Sequence, residues 1–512
     1  MLLVVMSLTP ANQIPQQSGS AEALHSLGVN AYQSGNLEEA IIHFRQALDL
    51  NPNYAEVHND LGAALKKQGK LKEACVHYQQ AINYQPEAAI AHYNMGVALQ
   101  QLGSLREALT YYQQAINIDP EFIKAYFHLG EVCNLLDKPS ESINYYQRIL
   151  ALHPGFPGIY QMMGIAFQKL GKLKEAISCF DRALELNPDD AETHHFRGCA
   201  LLAAGDLSQR FLEFQWGRKD FKNFSFSQPF WDGSNLEGKT ILLHAELGFG
   251  DTIQFIRYAP LVAQRGGQVI VACQKPLVRL LATMSDIKQV IAQGEPLPEF
   301  QVHLPFLSLP GILGTTTETV PNQVPYLIPP ESHNFRLEDP SEICVKVGIV
   351  WAGTPRFWSK YEKRSCAITD FQKLLDIPGT RFYSLQKGPR STDLAELHNR
   401  ELVEDLSNQL GDFADTAAAI AQLDLVITVD TAVAHLAGAL NHPVWVLLPF
   451  SPEWRWMLGR EDSPWYPSMR LFRQDNPSDW TGVFAQIAEA LRALAEERRH
   501  NTNPMKFIRK LR

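Results

Sequence analysis

Five consecutive 34-residue windows, starting at Ala21, Ala55, Ala89, Ile123 and Pro157, repeat one pattern, and a degenerate sixth begins at Ala191. Position 8 is glycine in every copy: Gly28, Gly62, Gly96, Gly130, Gly164 and Gly198. Position 20 is small (Ala40, Ala74, Ala108, Ser142, Ala176) and position 24 aromatic (Phe44, Tyr78, Tyr112, Tyr146, Phe180). Position 32 is proline (Pro52, Pro86, Pro120, Pro154, Pro188). Six glycines at one spacing do not suit an irregular helical bundle. A unit this small cannot bury its apolar face alone, so successive units must stack into an elongated array.

This pattern resembles the tetratricopeptide repeat, a helix–turn–helix unit of 34 residues. The resemblance implies an α-solenoid, a superhelix with a concave groove, over residues 21–222, after a flexible stretch at 1–20. The small residues would let the two helices approach, the aromatic would fill their joint, and the proline would end the second helix. The array is then expected to recruit a partner, and any chemistry falls to the rest of the chain.

The totals narrow that chemistry. With 46 Lys and Arg against 55 Asp and Glu, the formal net charge of −9 argues against broad nucleic-acid binding. The seven cysteines are scattered and include no Cys-x-x-Cys, which fits buried thiols in a reducing compartment and supplies no zinc site. The apolar start, Leu2 to Leu8, lacks a basic flank and is too short to span a bilayer. A cytoplasmic protein without a transmembrane segment is expected. The basic tail at 499–512 reads as solvated, leaving room for a weak membrane-surface contact.

Beyond Gly205 the repeat pattern fades into an aromatic run containing Trp216, Phe221, Phe224, Phe226, Phe230 and Trp231, which would seal the open end of the last repeat. From Lys239 the period changes. Strands are expected at Lys239–His244, Gln268–Cys273 and Ile287–Ala292, with helices at Asp251–Gln264 and Pro276–Met284. A Pro- and Thr-rich linker, Thr315–Asp339, precedes a second series. Its strands are Cys344–Trp351, Arg381–Leu385, Asp424–Val429 and Pro443–Leu448. Its helices are Asp412–Leu423, Thr431–Leu440 and Asp479–Arg498. Alternating strands and helices indicate parallel sheets covered on both faces. Two Rossmann-like α/β domains, 239–340 and 341–498, would place a cleft at the C-terminal ends of their strands. Few contacts are expected to cross the junction, so residues 239–512 should fold alone.

Four segments carry polar groups to that cleft. In Asp424–Pro449 a strand runs into Asp430-Thr431 and a helix starts at once, offering free N–H groups and a positive dipole end that suit a diphosphate. His435 lies one turn on. The competing reading has Asp430 capping the helix and His435 packing inside it. Gly248–Pro260 places Asp251 at the first strand–helix turn, where a carboxylate could deprotonate an acceptor hydroxyl or simply cap the helix. Ile253 stands where a dinucleotide loop needs its third glycine. Val347–Ser365 ends a strand in a loop bearing Lys360, Lys363 and Arg364. Ser384–Gly388 brings Gln386 and Lys387 to the same edge. Trp454, Trp456, Trp465 and Tyr466 would pack as core or stack on a ligand.

These segments resemble the heptosyltransferase-type glycosyltransferases of family 9, which have the GT-B architecture. That resemblance implies transfer of a sugar from a nucleotide-sugar co-substrate, by an inverting, metal-independent route with no further cofactor. It implies Asp251 as catalytic base, deprotonating the acceptor hydroxyl. Asp430, Thr431 and His435 would hold the nucleotide diphosphate. Arg364, and after it Lys360, would neutralise the leaving group, with Gln386 and Lys387 near the nucleoside. Ala432 departs from the family's usual glycine. No Asp-x-Asp metal signature occurs. Repeats joined to a GT-B fold also resemble the protein O-GlcNAc transferases in architecture. That family commonly carries asparagine at position 6, where this chain has Ser26, Asp60, Asn94, His128, Met162 and Phe196. The repeats are expected to bring a protein or glycan acceptor. A repeat adaptor, or a nucleotide-sugar sensor with a non-catalytic GT-B domain, is the alternative.

Overall fold

The structure is a computed structural model, and it describes residues 20–156, 158–205, 226–331, 336–337, 344–353 and 364–500. Among the described residues, eleven consecutive helices in the repeat pattern are followed by a region of parallel sheets. The chain divides into two compact units, Met1–Leu170 and Gly171–Arg512. The division falls inside the fifth repeat.

The first unit contains α1 (Ala21–Gln33), α2 (Leu37–Leu50), α3 (Ala55–Lys67), α4 (Leu71–Tyr84), α5 (Ala89–Gln101), α6 (Leu105–Ile118), α7 (Ile123–Leu135), α8 (Pro139–Leu152) and α9 (Ile159–Lys169). Ser20 caps α1 by accepting the Ala23 N–H. The glycine at position 8 is explained by the aromatic at position 24 of its own repeat. A Cβ at Gly62 would lie 2.7 Å from the Tyr78 ring, and one at Gly96 equally close to Tyr112. Ala74, Tyr78, Ala108 and Tyr112 are fully buried. Neighbouring repeats are tied by a histidine at position 4: Nε2 of His58 donates to the Pro52 carbonyl at 3.0 Å, and Nε2 of His92 to that of Pro86 at 2.8 Å. A polar chain also crosses three repeats. Asn94 Nδ2 donates to Asn59, Asn59 Nδ2 to Asp60, and His25 Nε2 lies 2.8 Å from Asp60. Position 6 alone does not reveal this chain, because it borrows His25 and Asn59 from position 5.

The second unit begins with α10 (Leu173–Leu186) and α11 (Ala191–Ala203). Its first sheet has the order β3-β2-β1-β4, with β1 Thr240–His244, β2 Gln268–Cys273, β3 Ile287–Ala292 and β4 Val302–Pro305. The second has the order β10-β9-β8-β5-β6-β7, with β5 Val345–Val350, β6 Thr380–Ser384, β7 Val403–Asp405, β8 Leu425–Val429, β9 Val444–Leu448 and β10 Met469–Arg473. All pairings are parallel. Strands β4, β7 and β10 were not expected. Each is only three to five residues long, and each closes the edge of a sheet, where half the pairing is missing and the apolar run is short.

The helices that matter for the site are α12 (Phe249–Phe255), α13 (Phe413–Ile420), α14 (Ala432–Ala439) and α15 (Thr481–His500). The single helix expected over Asp251–Gln264 is broken, because Pro260 has no N–H to continue it. After α12 come a tight turn at Ile256–Tyr258 and a short helix at Ala259–Ala263.

One apolar core joins the two sheets, containing Ile241 and Leu243 of β1, Val426 of β8 and Val446 of β9. Leu202 of α11, Trp231 and Leu236 belong to the same core. Cutting the chain before Lys239 would remove all three, so the expectation that 239–512 folds alone is revised. The linker is not free either: Leu327 is buried, and the Tyr326 N–H reaches the Ala439 carbonyl at 3.0 Å. Of the aromatic run, Trp216, Phe221 and Phe224 lie outside the described residues, as does the tail from 501.

Candidate functional site

Strand β8 is buried throughout, as a central parallel strand must be, and delivers Asp430 and Thr431 to its C-terminal end. Asp430 is buried, and Thr431 is the cap residue of α14. The Thr431 hydroxyl lies 2.9 Å from that of Thr428 rather than on the helix's own N–H groups. His435, one turn into α14, is buried between two aromatics. Its ring stacks on Trp456 at 5.2 Å, and its Nδ1 lies 2.9 Å from the Tyr466 hydroxyl. Burial pushes the Tyr466 phenol well above its ordinary range.

The first strand–helix turn of the unit meets this segment directly. A Cβ at Gly250 would stand 2.8 Å from His435 Cδ2 and 3.7 Å from Ala432 Cα. The starts of α12 and α14 therefore touch, one from each sheet's side, at the C-terminal strand ends. Ala432, which departs from the glycine of the resembled family, faces a glycine here.

Gly248 is the cap of α12, and its N–H donates to Asp251 Oδ2 at 2.9 Å. Asp251 is thus in the first turn of the helix, not at the cap. Its other oxygen accepts from Arg455, which also donates to Glu453 and to the side-chain oxygen of Gln254. Arg455 is almost fully buried and stacks over Trp454 at 4.6 Å. A buried guanidinium needs such partners, because its desolvation is otherwise far too costly. A second buried arginine, Arg257, reaches the Trp465 carbonyl at 2.7 Å, the Pro321 carbonyl at 3.0 Å and the Tyr326 hydroxyl at 2.9 Å. Two cations hence bridge the halves of this unit. The sequence reading missed both, although an arginine between two tryptophans (Trp454-Arg455-Trp456) is a signal of a buried, stacked cation.

Arg364 comes to the end of β5, its Nε 3.0 Å from the position a Cβ on Gly353 would take. Gln386 is buried and committed to backbone: its Oε1 accepts from the Trp351 and Ala352 N–H groups, and its Nε2 donates to the Ala352 and Lys387 carbonyls. Lys387 is exposed and donates to the Ser407 carbonyl at 2.6 Å. Lys360 and Lys363 lie outside the described residues. Trp454, Trp456, Trp465 and Tyr466 are all buried, which makes them core around His435 and not a stacking platform. Among the described residues no group of three His, Cys, Asp or Glu side chains could hold a metal ion. No described helix is long and apolar enough to cross a membrane.

Comparison with known proteins agrees with this division. Residues 31–69 and 64–103 match the family described as TPR repeat, and 89–122 and 159–190 match Tetratricopeptide repeat. Residues 400–477 match Glycosyltransferase family 9 (heptosyltransferase), a span that runs from before β7 to just past β10. The chain therefore carries tetratricopeptide repeats in its N-terminal part and a family 9 glycosyltransferase region in its C-terminal part. Protein FlbA of Caulobacter vibrioides is 26% identical over 305 residues, covering 54% of this chain and 50% of that protein. The chain thus spans half the length of that relative. Among solved structures, MamA is 24% identical over 34% of this chain and 96% of its own, with a TM-score of 0.32. A thermophilic TPR protein of Thermus thermophilus is 24% identical over 36% of this chain and 100% of its own, with a TM-score of 0.29.

Proposed function

We propose that this chain is a glycosyltransferase that moves a sugar from a nucleotide-sugar donor to an acceptor, with the repeats recruiting the acceptor or a scaffold that carries it. One observation supports this most: the family 9 match contains the segment Asp430–His435, and that segment abuts the turn bearing Asp251. In this reading the start of α14 receives the donor diphosphate, with Asp430, Thr431 and His435 around it and Arg364 and Lys360 as its cations. Asp251, on the first sheet's side, is the base that takes the acceptor proton as the hydroxyl attacks the anomeric carbon. The route is inverting and needs no metal or other cofactor, since the diphosphate's charge is met by cations and helix N–H groups. Gln386 shapes the strand end instead of contacting the nucleoside, because its amide is spent on backbone. Lys387 remains the nucleoside-side contact. All seven cysteines are free thiols, in keeping with a reducing, cytoplasmic setting.

A second reading has a specific observation in its favour. Both oxygens of Asp251 are engaged, one by Gly248 and one by Arg455. A GT-B region held that way suits an adaptor or a nucleotide-sugar sensor that does not turn over. Titrating the full-length protein with uridine, adenosine and guanosine diphosphate sugars, followed by an assay of donor hydrolysis, separates the three. Binding with turnover supports the transferase, binding alone the sensor, and neither the adaptor.

A further inference from the structure

We propose that Arg455 is a positioning residue that holds Asp251 out of use and releases it by transferring its charge pair to Glu453. The proposal rests on the transferase reading for the role of Asp251, but the contact itself stands on geometry. Arg455 lies in the segment that follows β9, in the second half of the unit, whereas Asp251 and Gln254 lie on α12 of the first. The contact therefore spans the place where a donor and an acceptor must meet. A general base needs an open lone pair directed at the acceptor proton. Here one carboxylate oxygen is tied to the Gly248 N–H and the other to the guanidinium, and the residue is buried.

Leaving Asp251 would ordinarily be prohibitive for a buried arginine, since an uncompensated buried charge is strongly unfavourable. Glu453 changes that balance. It sits two residues away on the same segment, is itself mostly buried, and already accepts from the other terminal nitrogen of Arg455. The guanidinium keeps a full carboxylate partner when Asp251 departs, so exchange needs only side-chain rotation. The Gln254 amide adds a second observation. Its oxygen accepts from Arg455, while its Nε2 is buried and makes no hydrogen bond. An unpaired buried donor beside the pair is a group that gains when an oxygen-bearing ligand enters.

The same segment touches the repeats. The turn Trp454–Trp456 packs against α11, the first helix of the sixth repeat, and Leu202 of α11 shares a core with Trp454 and Trp456. A load on that helix has a direct route to the Arg455 pair.

The test uses the full-length protein and two readouts, amide hydrogen exchange over 248–255 and donor turnover. Glu453 is the competitor for Arg455, so E453Q should strengthen the grip on Asp251. Exchange over 248–255 should slow, and kcat should fall roughly tenfold with KM unchanged, the scale of one hydrogen bond to a charged group. R455Q should speed exchange in that segment, and R455K should lie between R455Q and the wild type. If Glu453 merely braces Arg455, E453Q will loosen the pair and speed exchange instead. Faster or unchanged exchange in E453Q overturns the proposal. Wild-type protein that turns over no nucleotide sugar would sink the transferase reading, while the exchange result would still decide whether Arg455 trades partners.

Discussion

Gly250 of α12 faces the imidazole of His435 in α14, so closely that a Cβ on the glycine would stand 2.8 Å from Cδ2. This contact brings the two strand–helix turns together and places His435 where both halves of the candidate site meet. Nδ1 is held by Tyr466, and the ring is fixed by stacking on Trp456. His435→Ala is therefore expected to weaken binding of a nucleoside diphosphate by about 1–3 kcal/mol, the loss of one hydrogen bond to a charged group. Calorimetric titration checks it, with Tyr466→Phe as a partner that leaves the ring in place. Unaltered affinity in a folded His435→Ala protein would return the histidine to a packing role.

Asp251→Asn keeps an oxygen for the Gly248 N–H but removes the charge facing Arg455. Turnover should drop by roughly 10²–10⁴, the scale of general-base loss, with donor affinity nearly unchanged. The melting temperature should fall as well, since Arg455 loses one of its two carboxylates. An unaltered rate at the lowered melting temperature would leave Asp251 with a structural role only.

Compactness bears on where the chain can be cut. A fragment of residues 171–512 retains Leu202, Trp231 and Leu236, whereas one of residues 239–512 exposes the core they cover. The longer fragment should melt cooperatively and the shorter should aggregate or bind hydrophobic dyes. Equal stability of the two would show that α10 and α11 contribute nothing to the α/β core.

The glycine at position 8 should tolerate no Cβ. Gly62→Ala is expected to lower the stability of the repeat unit by roughly 1–3 kcal/mol, the range for overpacking a filled joint. Combining it with Tyr78→Leu should recover part of that loss, because the ring is what the methyl group meets. Thermal melts of the single and double variants measure the coupling.

Burial pushes the Lys66 ammonium down from its ordinary 10.5 to about 8. The folded chain thus holds this proton less tightly than the unfolded chain does. The resulting cost is fully present below about pH 8 and is relieved as the pH rises toward 10.5. Lys66→Met should stabilise the protein at pH 7 by roughly 1–3 kcal/mol, in proportion to that shift. The gain should shrink as melts are repeated toward pH 10. A gain independent of pH would mean that the substitution acts through packing alone.

The repeat architecture was legible from the residues because its determinants are local and recur. Gly62 and Tyr78 are sixteen positions apart in one helix pair, so a fixed spacing reports a fixed contact. The central strands β1, β5, β8 and β9 were legible for a related reason: burial on both faces demands unbroken apolar runs. So was the meeting of Asp430, Thr431 and His435 at one strand end, which follows from their place around a single β–α turn. What the chain order did not reveal was the company these residues keep. Asp251 and Arg455 are 204 positions apart, and Gly250 meets His435 across a comparable gap. No periodicity records such pairings, because they depend on how two sheets are brought together over a shared core. Gln386 shows the same limit at short range: its side chain looked available for a ligand, and the folding of β5 beside β6 committed it to the backbone. Residue type and spacing determined which groups reach the strand ends. Only the tertiary structure decided which of them remain open there, since burial and competing partners are properties of the assembled core.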